Sequence, residues 1–253
     1  MTLRLRDRIE GDLVIEVAFT DSVLDLGDHA VDDIRAAALA AVAAETGAEP
    51  VIMRQVHGAD VALAPTTAGE PPVCDALVAT TPDVALLTRA ADCVPVLLGD
   101  AEAGVVAAVH AGRPGLAAGV VPATIARMRD LGAQRLTAWV DPHVCGACYE
   151  VPAEMRDEVA AIVPEARATT SWGTPALDLG AGVRAQLYAG GVTDVHAVDR
   201  CTREDPEFPS YRRDGDAATR FAGVIWMHQI TPRRSSPPPL RSSVEQRRGD
   251  PDR

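Results

Sequence analysis

The chain has 253 residues, 47 % hydrophobic and 24 % charged, a length that suits one large or two small domains around a sizeable core. Its formal net charge of −12 argues against a general nucleic-acid binder, which needs a basic face, and no run of about 18 uncharged apolar residues exists to span a membrane. All 24 basic residues are Arg, so an anionic substrate such as phosphate requires a local arginine pocket working against the overall field. Arg4, Arg6, Asp7, Arg8 and Glu10 interrupt any apolar signal at the start, and the expected location is cytoplasmic. The five cysteines are odd in number and irregularly spaced, which reads as reduced thiols: core residues, ligands or nucleophiles.

In chain order, residues 13–18 predict a strand and residues 31–46 an Ala-rich helix closed by Gly47. Residues 51–56 alternate as a strand and deliver His57 at their end. Strands are also expected at 76–79, 84–88, 94–98 and 105–109, the last two joined by a turn over 99–104. A helix over 116–131 holds Pro122 in its first turn or is kinked there. A strand follows at 136–140, then a helix from Pro152 to Ile162 with proline in first position. Residues 177–189 predict a helix stopped by Gly190 and Gly191, with strands at 195–198 and 221–227. Interleaved strands and helices with short strand–strand links predict a mixed α/β fold with a mixed sheet. The body, 1–231, is expected to be one catalytic domain. The Pro, Ser and Arg content of 232–253 predicts a disordered tail.

The segment from Cys93 to His110 carries the first chemical signal. A symmetric turn between Ala101 and Glu102 sets Gly99 opposite Gly104 and Cys93 opposite His110. Opposed residues have Cβ atoms roughly 4.5–5.5 Å apart, close enough for a thiolate and an imidazole to share one metal ion. His57 followed by Gly58 is a third candidate, and a His–Cys–His set suits zinc with its fourth position open. On spacing alone, a His or Cys at a strand end is more often a packed core residue. Cys145 and Cys148 have metal-like CxxC spacing but lack a second such pair, and read as thiols beside a substrate pocket. Cys74 and Cys201 read as core. Asp92 either points away from Cys93 or orients a ligand histidine. Arg212 and Arg213 form either an anion fork or a solvated pair. His29, His143, His196 and His228 have no partner that the sequence identifies.

Residues 54–60 (RQVHGAD), 75–100 (DALVATTPDVALLTRAADCVPVLLGD) and 105–112 (VVAAVHAG) resemble the core motifs of the YfiH-like family. Residues 148–151 (CYEV), Cys201-Thr202 and 208–214 (FPSYRRD) extend the likeness over roughly 15–230 in the right order. That family, long labelled multicopper polyphenol oxidase or laccase-domain proteins, is associated with zinc-dependent purine nucleoside phosphorylase and adenosine deaminase activity. The resemblance implies an α+β layered sandwich of mixed, largely antiparallel sheet with flanking helices. It places the Zn²⁺ ligands on His57, Cys93 and His110, and catalysis on Cys93, His110 and Arg113. Gln55, Asp92, Tyr149 and Arg212 are the substrate contacts it implies, with a nucleoside and phosphate as partners. A monomer or weak homodimer is expected, and from charge and hydropathy no nucleic-acid or membrane partner.

Two features depart from the family pattern where substrate contacts are expected: Arg113-Pro114-Gly115 replaces Trp-Arg-Gly after the HAG motif, and the loop over 20–28 is short. Two further readings stand beside the phosphorylase. One is a hydrolase with Cys93 as nucleophile and His110 as base, acting in peptidoglycan editing; the other is a metal-binding regulatory protein without turnover. Six histidines in the whole chain are too few for a multicopper oxidase.

Overall fold

The computed structural model describes residues 3–27, 30, 32–65, 69–140 and 142–229. The tail expected from residue 232 and His29 lie outside them.

Thirteen strands and six helices are described. They run β1 (Leu3–Glu10), β2 (Leu13–Thr20), α1 (Asp32–Thr46), β3 (Glu49–Val51), β4 (Val61–Leu63), β5 (Ala76–Ala79), β6 (Val84–Ala90), β7 (Val94–Asp100) and β8 (Val105–Ala111). There follow α2 (Arg113–Ala118), α3 (Val120–Asp130), β9 (Thr137–Val140), α4 (Ala153–Ile162), β10 (Arg167–Thr169), β11 (Pro175–Leu177), α5 (Leu179–Ala189), β12 (Asp194–Ala197), α6 (Tyr211–Asp214) and β13 (Phe221–Gln229).

Two large sheets form, ordered β1-β2-β13-β6-β3 and β12-β9-β7-β8-β5-β4, with β10 and β11 as a separate ribbon. Pairing is largely antiparallel; β3, β4 and β12 join in parallel at sheet edges. Ile15, Val17, Phe19, Leu77, Leu97, Val106, Trp139 and Ile225 pack one sheet on the other. The outer face of the six-stranded sheet is covered by α2, α3, α4 and α5, and α1 covers the five-stranded sheet. The result is the layered sandwich that the resemblance implies. Strands β6, β7 and β8 are buried at every residue, which explains why they read as apolar runs rather than alternating ones.

Four readings need correction. The β7–β8 turn is centred one residue later, over 101–104, so Pro95 and not Cys93 opposes His110. Asp100 sets that turn: its Oδ1 accepts the amides of Glu102 and Ala103, its carbonyl accepts from Gly104, and Gly104 takes the left-handed φ of 64°. Gly99 stays in the strand, where a Cβ would lie 3.0 Å from Ile15 of the facing sheet. The strand expected over 51–56 ends at Val51, because Arg54 bridges to Val73 instead of continuing beside β6. Gly119, at φ 84°, breaks the helix of 116–131 into α2 and α3, with Pro122 in the first turn of α3. Residues 175–177 pair with β10 before α5 starts at Leu179, capped by Asp178. The charged β1, unrecognised in the sequence, is an edge strand, and charge on an edge discourages pairing between molecules.

Candidate metal centre and its walls

The ends of three strands and one turn meet at the same end of the six-stranded sheet. Asp75 immediately precedes β5, Cys93 precedes β7 and His110 is the penultimate residue of β8, while His57 follows the irregular segment after β3. The antiparallel β5–β8–β7 arrangement brings these three strand ends together.

Asp75 organises the site. Its carboxylate, completely buried, accepts the amides of Val56 (3.2 Å), His57 (2.9 Å) and Gly58 (2.7 Å). Three successive N–H groups wrapped round one anion make a backbone nest, and within it His57 adopts a left-handed φ of 60°. The same carboxylate lies 2.8 Å from Nδ1 of His110, which leaves Nε2 as the ring nitrogen available to a metal. Burial pushes the Asp75 carboxyl up, but the His110 contact and the amides of Gly58 and Val56 outweigh it and hold it below the usual carboxylate range.

One donor atom each from His57, Cys93 and His110 lies within 4.8 Å of the others. Cys93 Sγ stands 3.8 Å from His57 Nε2, and the two imidazole rings meet edge-on at 4.7 Å. Gly112 makes the approach possible: a Cβ there would sit 2.5 Å from His57 Cδ2 and 3.2 Å from Cys93 Sγ. Burial pushes the Cys93 thiol up, but the imidazoles of His110 and His57 outweigh it and bring it to about 6. Burial likewise pushes His110 down, and the Cys93 thiolate with the Asp75 carboxylate raises it to about 9. Without a metal each of these two side chains favours the charged form of the other, thiolate on Cys93 and imidazolium on His110. His110 is buried, Cys93 half-buried and His57 exposed, so the cluster opens on one side. A thiolate and two imidazoles with an open side fit a metal of the zinc type.

One wall is built from Tyr149 and Arg212, whose guanidinium carbon lies 4.4 Å from the ring centre. Burial and the Cys93 thiolate push the Tyr149 hydroxyl up on balance, while Arg212 and Arg113 pull it down, so both cations lie near Tyr149. Arg113 is the first residue of α2.

Two implied substrate contacts are engaged elsewhere. Gln55 gives both ends of its amide to the backbone of Arg89, at 2.8 and 2.9 Å, joining its segment to β6. Asp92, buried and at φ 90°, accepts from the Thr202 hydroxyl and the Arg212 amide, both at 2.6 Å. It therefore positions the wall, and the carboxylate that orients a histidine is Asp75. Arg213 is neither an anion fork nor a solvated pair: it bonds the carbonyls of Thr202 and Phe208 and the Asp214 carboxylate. His196 pairs with Asp7 and Asp194, and His228 with Glu16. Cys74 is buried, as read, and burial raises its thiol to about 11. Cys201 is not core: it is half-buried beside Cys145 and Cys148.

The family described as multi-copper polyphenol oxidoreductase laccase matches residues 16–228. A purine nucleoside phosphorylase of Streptomyces coelicolor is 54 % identical over 184 residues, 71 % of this chain and 76 % of the relative. The purine nucleoside phosphorylase YfiH of Shigella flexneri is 37 % identical over 185 residues, 71 % of this chain and 74 % of its own. A crystal structure of a Neisseria meningitidis protein superposes with a TM-score of 0.80 at 30 % identity, covering 90 % of this chain and 99 % of that one.

Proposed function

This chain belongs to the multi-copper polyphenol oxidoreductase laccase family, and from that membership we propose that it is a zinc-dependent purine nucleoside phosphorylase. The observation that carries the reading is the convergence of His57, Cys93 and His110 beside Tyr149, Arg113 and Arg212. The substrate class comes from relatives named purine nucleoside phosphorylase.

In phosphorolysis a phosphate oxygen bonds to the ribose anomeric carbon, the bond to the purine nitrogen breaks, and the base leaves with a proton. His57, Cys93 and His110 would hold the zinc ion, which would supply Lewis acidity at this site. Arg113 and Arg212 hold the phosphate, which a chain of net charge −12 otherwise repels. The Tyr149 hydroxyl, pushed upward and therefore protonated, donates a hydrogen bond to the departing base. Asp92 fixes Arg212 through its backbone amide, and Asp75 keeps both histidines in place. The thiolate–imidazolium pair of the metal-free site favours a second reading, a Cys–His hydrolase with Cys93 as nucleophile.

One experiment separates the two. Inosine and adenosine are incubated with and without phosphate, before and after chelation. The phosphorylase releases free base and ribose 1-phosphate only with phosphate present and falls silent once zinc is stripped. Conversion of adenosine to inosine without phosphate would reveal deamination at the same site. A cysteine hydrolase ignores phosphate, survives the chelator and is blocked by a thiol alkylator. Nucleosides left intact with zinc fully loaded would sink the phosphorylase reading.

A further inference from the structure

A second set of soft donors lies apart from the trio, on two irregular loops that close the wall of the site. Cys145 and Cys148 occupy a tight turn in which the amides of Cys148 and Tyr149 both donate to the Cys145 carbonyl, each at 3.0 Å. A parallel bridge between His143 and Cys201 lays the second loop alongside. Thr202 N donates to His143 O at 3.0 Å, and Cys145 N points at Cys201 Sγ at 3.4 Å. The chain then turns on the Cys201 carbonyl, which accepts from Glu204 and Asp205, and this turn returns Glu204 to the cluster.

One donor atom each from Cys145, Cys148, Cys201 and Glu204 lies within 4.8 Å of the other three. Four ligands about 2.3 Å from a tetrahedral zinc stand about 3.8 Å from one another, so closing this cluster on an ion takes shifts of an ångström or less. The three thiols are free. The Arg203 guanidinium reaches Cys148 and also stacks 4.9 Å from the Trp172 ring centre, a placed cation beside a donor set that would carry excess negative charge. Three thiolates and a carboxylate give four protein ligands, the closed set of a structural site, where the trio is open.

We propose that Cys145, Cys148, Cys201 and Glu204 form a second, structural zinc site that pins the two loops carrying Tyr149 and Thr202. The residue after Cys148 is Tyr149, the aromatic wall. The residue after Cys201 is Thr202, whose hydroxyl holds Asp92 next to Cys93. Ladder pairing at these residues is limited to isolated bridges, Glu150 to Ala176 and His143 to Cys201, and one ion would fasten the two loops to each other.

The test is a metal-binding measurement on the full chain, indifferent to which substrate is turned over. Cys93→Ser removes the sole thiolate of the trio, so any sulfur-to-cobalt charge-transfer band in the cobalt-loaded variant must arise at the second site. The expected result is a strong band with tetrahedral visible absorption in Cys93→Ser, weakened by about a third in Cys93→Ser/Cys201→Ser as one of three thiolates is lost. Complete loss of the thiolate band in folded Cys93→Ser overturns the proposal. A second measurement needs no variant: alkylation of the unmodified chain with and without zinc, mapped by peptide mass. Joint protection of Cys145, Cys148 and Cys201 by zinc supports the site. Equal labelling of all three in both states, or a disulfide among them after purification under reductant, overturns it.

Discussion

At the residue scale the centre depends on charge placement. Cys93→Ser replaces a thiolate whose proton is lost near pH 6 with a neutral hydroxyl, a far poorer ligand. The variant is expected to lose both trio zinc and phosphorolysis, checked by metal analysis and base release; activity retained without trio zinc would remove the metal from the reaction. Asp75→Asn keeps the shape but presents an amide N–H₂ to donors that need an acceptor. It should weaken zinc binding at the trio by roughly 10- to 100-fold, measured by competition with a chelating dye. In the metal-free chain the two titrations have opposite signs. Cys93, depressed from 9.0 to about 6, contributes stability above 9 that is lost as pH falls through 6. His110, raised from 6.5 to about 9, contributes below 6.5 and loses it as pH rises through 9. The His110 charge is the main cause that depresses Cys93, so its loss near 9 removes the Cys93 contribution too, and the pair is populated between about 6 and 9. The Tm advantage of the metal-free chain over metal-free Cys93→Ala should peak in that window and shrink on either side, and a flat difference across pH would contradict the pairing.

Among the elements, the junction between β8 and α2 is the most sensitive. Gly112 has φ −76° and ψ 169°, a backbone any residue adopts, so Gly112→Ala adds no conformational strain. Its methyl would nevertheless sit 2.5 Å from the His57 ring, inside van der Waals contact. The ring must swing away from Cys93. Zinc affinity of the trio should fall while the thermal midpoint of the metal-free chain holds to within a few degrees, as His57 is exposed and the displaced ring meets solvent. Calorimetry with and without zinc checks both halves; undiminished zinc binding would mean that His57 is not a ligand. The hairpin itself shows how an element can shift without losing its chemistry. The turn centred one residue later moves every cross-strand pairing by two, and since side chains alternate with period two, Cys93 and His110 remain on one side.

For the whole molecule, stability rests on two sheets packed face to face, with helices outside. Leu97 is completely buried between the sheets, close to β13 at Gly223. Leu97→Ala should cost about 2–5 kcal/mol from lost burial and the cavity left behind. Urea unfolding should show a lower midpoint at unchanged slope, while the folded fraction still binds zinc, because the cavity lies in the middle of the sandwich and the trio at its end. A cost below about 1 kcal/mol would mean that the sheets are not closely packed at this point. The sandwich also accounts for the composition. With 4 % aromatic residues, close packing of two sheets is achieved largely by the branched side chains of Val, Leu and Ile, with Ala filling the narrower gaps between them.

Sequence alone determined the features that depend on local pattern. Apolar runs marked β5 to β8 because strands buried on both faces carry polar residues only towards their ends, and Gly47 and the glycines after α5 marked helix ends. The three trio residues stood at or near the ends of apolar runs in motifs that resemble a known family. Tertiary structure decided what depends on distant pairing. Asp75 meets His110 because β5 pairs with β8, and nothing within its own segment signals a buried carboxylate beyond its place before an apolar strand. Asp92 finds Thr202 and Arg212, 110 and 120 residues away, and so serves the wall. Gln55 is absorbed by the backbone of Arg89, 34 residues on. Cys201 joins Cys145 and Cys148 only through a bridge between two loops. The division has one physical reason: period and punctuation are set by neighbours a few residues apart, whereas a partner is chosen by which strands and loops the folded core brings together.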